Sequence, residues 1–190
     1  MTDNYFDSDT YSRVDFTKNQ IHKGTFDNCT FDNCNFENIH ASNIQFIECQ
    51  FTDCNFSNTI INNSSFKNVQ FTHCKLMGVK FHECNPFLLQ MSFYNCQLSF
   101  ASFYQLKIPK TKFVNCNLEA VDFTESKLQE AVFENCNLKR AIFEDTHLEK
   151  SDFRAALYFS INPNRNLLKG AKFSKENLIG LLQHYQLAIE

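Results

Sequence analysis

The residues with the most chemical potential in this chain are its nine cysteines. Cys29 and Cys34 stand five apart in the stretch FDNCTFDNCNFENI. Such a pair could ligate a metal, close a disulfide or supply a nucleophilic thiol. Metal ligation needs convergent ligands in tetrahedral array, with His22, His40, His73, His82, His147 and His184 as the available nitrogen donors. A catalytic thiol needs exposure and cationic neighbours. Which chemistry applies depends on where the chain directs each sulfur.

An internal repeat answers that. Phenylalanine recurs every five residues: Phe26, Phe31 and Phe36, then Phe46, Phe51 and Phe56, then Phe66 and Phe71. This position is called the centre. Ile21, Ala41, Ile61, Leu76 and Phe81 continue the count, which slips by two residues near Asn85–Met91 and resumes at Phe93. Of 22 phenylalanines, 19 stand at centres; Phe87, Phe100 and Phe159 do not. All nine cysteines lie two residues before a centre, in a slot otherwise filled mostly by small or β-branched residues such as Val69, Ala101 and Val121.

A period of five matches neither a straight helix nor a long strand. It matches short extended pieces joined by a bend every five residues. Within one piece, residues two apart point the same way, so centre and slot both face inward. Ten asparagines immediately precede the slot, and asparagine tolerates the positive φ that a bend without glycine requires. Four bends of about a right angle close a coil of 20 residues. Columns at that spacing are uniform: Phe31, Phe51, Phe71, Phe93, Phe113, Phe133, Phe153 and Phe173 form one.

The same spacing stacks Cys34, Cys54, Cys74, Cys96, Cys116 and Cys136 as a ladder of inward thiols. These read as structural packing, because free cysteine behaves as a small buried hydrophobe. Stacked neighbours keep their Cβ atoms near the ~4.8 Å strand spacing, beyond the ~3.5–4.5 Å usual for a disulfide. The histidines fall outward or outside the coils, so no metal site and no cofactor is expected.

The run Cys116–Phe153, CNLEAVDFTESKLQEAVFENCNLKRAIFEDTHLEKSDF, resembles the pentapeptide-repeat family, as does the chain from about residue 14 to 173. The resemblance implies an all-β fold: a right-handed quadrilateral parallel β-helix, here of about eight coils. The C-terminal YFSINPNRNLLKGAKFSKENLIGLLQHYQLAIE is similar to the endings of bacterial Qnr-type and MfpA-like members. Those bind DNA gyrase and topoisomerase IV, mimic duplex DNA and dimerise through a C-terminal helix.

Three segments follow. Residues 1–13 carry polar slots (Asn4, Asp9) and are expected to be loose or capping. Residues 14–173 form the β-helix, with the two-residue insertion near 85–91 and a last coil distorted by Pro163 and Asn166 in inward slots. Residues 174–190 read as a short α-helix and tail, with Ser174 as N-cap. Leu178, Leu181, Leu182 and Tyr185 share one apolar face; with Leu187 and Ile189 they are the expected homodimer interface.

The net charge is −3, so direct nucleic-acid binding through a basic field is not expected. No apolar run reaches the ~18 residues of a membrane helix, and the polar opening does not read as a secretory signal; the expected location is cytoplasmic. Nothing in the sequence reads as catalytic. The leading functional reading is therefore a non-catalytic interaction module, and the alternative is a DNA-mimicking gyrase or topoisomerase IV binder conferring quinolone or gyrase-toxin resistance. Candidate partner-facing acids are Glu119, Glu125, Glu144 and Asp145. Residues 1–86 hold ten acids and six bases, residues 87–190 eleven acids and twelve bases; this balance is far less acidic than a duplex.

Overall fold

The computed structural model describes residues 4–187. The chain forms eleven short strands. The first six are β1 (Asn4–Asp7), β2 (Thr10–Ser12), β3 (Gly24–Asp27), β4 (Thr30–Asp32), β5 (Gln45–Ile47) and β6 (Gln50–Thr52). The rest are β7 (Ser65–Lys67), β8 (Val69–Thr72), β9 (Met91–Tyr94), β10 (Lys112–Val114) and β11 (Val132–Glu134). All pairing is parallel, and partners stand twenty residues apart, as in Phe31↔Phe51 and Phe93↔Phe113, or twenty-two where they span the insertion, as in Phe71↔Phe93. The result is a parallel β-solenoid.

Each turn has four walls. The first wall stacks β1, β3, β5 and β7; the second stacks β2, β4, β6, β8, β9, β10 and β11. The third and fourth walls pair through single bridges, such as Asn35↔Asn55 and Ser102↔Asp122. The seven strands of the second wall define about seven turns rather than the eight expected. Beyond β11 the stacking persists only as isolated bridges, Val132↔Asp152 and Asp152↔Lys172.

The corners explain the five-residue period. A residue of positive φ precedes the slot at nearly every corner, and all ten asparagines of that class adopt it, from Asn28 (50°) to Asn135 (51°). Asparagine's short polar side chain makes this conformation less costly than for most residues. The chain also uses Glu125, Arg140 and Phe100 there, so the stacked backbone overrides local preference.

The centres fill the axis. Phe31, Phe51 and Phe71 stack at ring distances of 4.7 and 5.1 Å. Around a turn the rings meet edge to face, as for Phe51 and Phe56 at 5.1 Å and 85°; both arrangements are favourable for aromatic pairs. The filling changes along the rod. Turns near β3–β6 carry phenylalanine on three walls and a smaller residue on the fourth (Ala41, Ile61). Turns beyond Phe81 carry it on the second and fourth walls, facing across the axis (Phe93 and Phe103, 5.8 Å), with Leu98 and Ile108 between. Volume is conserved while the arrangement rotates, as a close-packed interior requires.

Regular stacking starts earlier than Val14. β1 and β2 pair in register with β3 and β4, and Phe6 and Tyr11 stack on Phe26 and Phe31 at 4.6 and 4.8 Å. Asn4 and Asp9 occupy slots of the first described turn and are exposed, so their polar side chains meet water. The two-residue insertion lies between Asn85, which pairs with Ser65, and Met91, which pairs with Val69.

The C-terminal segment is not an α-helix. It forms two 3-10 turns, Leu178–Leu181 and Gln183–Tyr185. Ser174 is not an N-cap; its N–H donates to Asn177 Oδ1 at 3.0 Å. Asn177 Nδ2 donates to the carbonyls of Phe153 and Ala156, and Ile161 N donates to Gly180 O at 2.9 Å. These ties to the last turn compete with an i to i−4 ladder, and Gly180 disfavours a helix further. Pro163 does not point inward: it is exposed, while Phe159 and Ile161 are buried in the last turn.

The strained corners yield a test. Asn115 is exposed at φ 54°. Asn115→Val will lower the unfolding free energy by about 1–3 kcal/mol, because a β-branched residue resists positive φ. Asn115→Gly will cost much less. Denaturant titration of the two variants measures the difference, and equal losses would remove the conformational explanation.

Candidate functional site

All nine cysteines are free and buried. The column Cys34–Cys136 stands behind the corner between the second and third walls, and its thiols have a defined duty. Cys34 N–H donates to Cys54 Sγ at 3.4 Å, and Cys54 Sγ donates to Phe31 O at 3.4 Å. One thiol thus satisfies both backbone groups of the corner one turn earlier. Cys74, Cys96, Cys116 and Cys136 donate likewise to Phe51, Phe71, Phe93 and Phe113 O at 3.3–3.5 Å. Other residues do the same at the corner between the fourth and first walls. Ser64 Oγ accepts from Ile44 N and donates to Ala41 O. Asn166 Oδ1 accepts from Thr146 N, and its Nδ2 donates to Phe143 O, both at 3.0 Å. At these corners the slot holds a side chain that can donate, while Val69, Ala101 and Val121 fill it elsewhere by size alone; the cysteines serve both needs.

Burial pushes the thiols of Cys49 and Cys84 up to about 12. A protonated, inward sulfur is neither nucleophile nor metal ligand. Among the described residues, no group of three or more His, Cys, Asp or Glu is arranged to hold a metal ion. Chemistry with an external molecule falls to the outer surface.

Three of the four candidate acids come together. Glu125 and Asp145 share the corner between the fourth and first walls, and Glu144 adjoins them. Each has a local partner. Gln105 Nε2 donates to Glu125 Oε2 at 2.9 Å; Arg165 Nε lies 2.8 Å from Glu144 Oε2, and another of its nitrogens 3.9 Å from Asp145. Glu119 stands apart on the third wall, flanked by the amide ladder Asn137 Nδ2 to Asn117 Oδ1 (3.0 Å). The four do not make one continuous acidic stripe.

The C-terminal segment covers the last turn. Leu181, one of the expected interface residues, is partly buried against the core. Gly180 lies on the Phe159 ring, where an added Cβ would clash with the ring. The outer side of this cap exposes Leu178, Ile179, Leu182, Tyr185 and Leu187. Ile189 lies outside the described residues.

A second apolar feature sits mid-rod. The bulge Asn85–Gln90 projects Phe87 and Leu88, each 66% exposed. Leu89 turns back toward the core. Lys67 Nζ lies 5.7 Å from the centroid of Phe87. Phe100, also 66% exposed, occupies a corner. Its off-centre spacing carried the signal for this exposure.

The fold has relatives. The family model for the pentapeptide repeat region matches residues 24–86 and 88–180, its break falling on Phe87 at the bulge. The chain belongs to the pentapeptide repeat family. Among solved pentapeptide repeat structures, full-length QnrB1, a plasmid-mediated fluoroquinolone resistance protein, superposes with a TM-score of 0.53 at 17% identity, covering 97% of this chain and 100% of that one. HetL, involved in heterocyst differentiation regulation in the cyanobacterium Nostoc sp. strain PCC 7120, gives a TM-score of 0.45 at 10% identity, covering 90% and 85%. No curated protein sequence matches this one. No helix among the described residues is long and apolar enough to cross a membrane.

The thiol environment of this pentapeptide repeat protein yields a second test. Ellman's reagent at pH 8 will leave the native protein essentially unlabelled, and will titrate nine thiols after denaturation. Rapid native labelling of even one thiol would show an opening of the turns that the stacked structure forbids.

Proposed function

We propose that this pentapeptide repeat protein is a non-catalytic, cytoplasmic interaction module that works as a homodimer, its partner meeting the outer walls. The filled axis carries this reading. Inward positions are occupied by stacked rings, aliphatic groups and hydrogen-bonded thiols, which leaves no internal pocket for a substrate. What remains accessible is a long, regular outer surface of mixed charge, suited to protein contact.

The cap is the proposed dimer interface. Leu178, Ile179, Leu182, Tyr185 and Leu187 form an exposed apolar group on one end of the rod, and burial of such a group favours association. Light scattering will give twice the monomer mass for the wild type, and Leu182→Glu will give a monomer. A monomeric wild type removes the dimer.

A second reading draws on the likeness to QnrB1. Here the rod would occupy the DNA-binding saddle of gyrase or topoisomerase IV, its carboxylates standing for phosphates, and protect the enzyme from quinolones. The charge pattern argues against it: Arg165 stands beside Glu144 and Asp145 and offsets part of their charge, and a duplex carries one charge per ~1.7 Å. A supercoiling assay with ciprofloxacin separates the readings. The interaction-module reading expects neither rescue nor inhibition of gyrase at micromolar protein; rescue would put the topoisomerase reading first.

A further inference from the structure

We propose that the bulge Asn85–Gln90 docks an extended acidic segment of a partner protein, with an apolar side chain of that segment seated against Phe87 and Leu88. This deepens the interaction-module reading and rests on it.

The bulge is a built feature. Phe87 N–H donates to Asn85 Oδ1 at 2.9 Å, and Leu89 N–H to Pro86 O at 3.4 Å. These bonds hold the turn, and Leu89 anchors it in the core, so Phe87 and Leu88 are presented from a fixed base. A pre-organised apolar pair loses little conformational freedom on binding.

The bulge also interrupts the first wall. The four-stranded sheet ends at β7, with one further bridge from Ser65 to Asn85. The same wall resumes at Lys107↔Lys127. Among the described residues no backbone hydrogen bond joins Asn85–Leu89 to Lys107–Thr111. A groove of about 390 Å³ lies at this break, lined by Leu89, Gln90, Tyr94, Pro109, Lys110 and Lys112 among others. A second groove of about 250 Å³ lies on the other side of Phe87, lined by Asn43, Asn63, Lys67 and Asn85 among others. An extended chain crossing the bulge would enter both, with amide side chains available to its backbone.

Charge selects the occupant. Lys67 lies beside Phe87, and Lys110 and Lys112 line the adjoining groove with Leu89. Glu83 pairs with Lys80 at 3.7 Å and Glu130 with Lys110 at 3.9 Å; the latter is an exposed pair that an incoming carboxylate can replace, and among the described residues Lys67 and Lys112 form no ion pair. An apolar centre with a cationic rim fits a peptide with an apolar anchor and flanking carboxylates. A single-stranded nucleic acid fits less well, because Leu88 offers no ring for a base to stack on and the chain as a whole is negative.

The test uses the full chain and three fluorescein-labelled nonapeptides, each with a central Phe–Leu pair flanked by glutamates, serines or lysines. Fluorescence anisotropy will show the glutamate peptide binding at least ~10-fold tighter than the serine peptide, with the lysine peptide weakest. Added salt will weaken the glutamate peptide, since the rim is exposed. Phe87→Ser/Leu88→Ser will abolish binding, and Lys110→Glu/Lys112→Glu will reverse the preference among the peptides. Both variants change exposed groups, and unchanged melting curves will check that each is folded. Equal binding of all three peptides, or binding unaffected by Phe87→Ser/Leu88→Ser, would overturn the site. So would an oligothymidylate that binds more tightly than the glutamate peptide. A partner isolated independently that still binds Phe87→Ser/Leu88→Ser would remove this site and leave the interaction-module reading standing.

Discussion

Stacking of backbone twenty residues apart governs everything else in this molecule. Each peptide group finds its partner one turn away, as when Phe36 N donates to Asn55 O at 2.7 Å. Meeting that requirement forces four corners per turn, and each corner forces positive φ on a residue that often is not glycine. Local strain is accepted because the backbone groups of each turn would otherwise be buried without partners, at about 1–3 kcal/mol for each group. The short strands are a consequence of the corners, since little extended chain remains between them.

The side chains answer the same constraint. A corner that closes without a tight internal hydrogen bond leaves one N–H and one carbonyl facing the axis. Cys54, Ser64 and Asn166 each satisfy such a pair from the next turn. Centres need bulk, and phenylalanine supplies it by stacking along a wall and meeting its neighbours at an edge. The redistribution of rings near Phe81 shows that total volume is fixed more tightly than the position of any one ring.

Much of this was legible in the chain. The period of the phenylalanines located the walls, and the spacing of the cysteines placed them inside. The asparagines before each slot marked the corners. Three features escaped. Asn4 and Asp9 suggested a start that is loose or capping, because their polarity was weighed without the register in which β1 and β2 pair with β3 and β4. Leu178 to Tyr185 carried helical spacing, yet the ties of Asn177 and Gly180 to the last turn divert the hydrogen bonds a helix would need. Pro163 was placed by counting in fives; in this turn Ala156, Ile161 and Asn166 keep the count and are buried, but Phe159 replaces Tyr158 as the inward ring and Pro163 is exposed. On the surface, spacing identified the acids but not Arg165 beside them, because contacts between residues twenty apart depend on side-chain direction as well as register.

The bulge has one further consequence. Two additional residues enter between Val69 and Met91, yet Phe71 and Phe93 still stack at 5.4 Å and 6°. The disturbance is absorbed within one wall, and the centres from Phe93 to Phe153 keep their phase. Elsewhere the chain has no such slack: an insertion that is not a multiple of five would exchange inside for outside along all that follows. A rod of this kind can therefore lengthen or shorten only in whole corners, unless the change falls on the single place already free to swell.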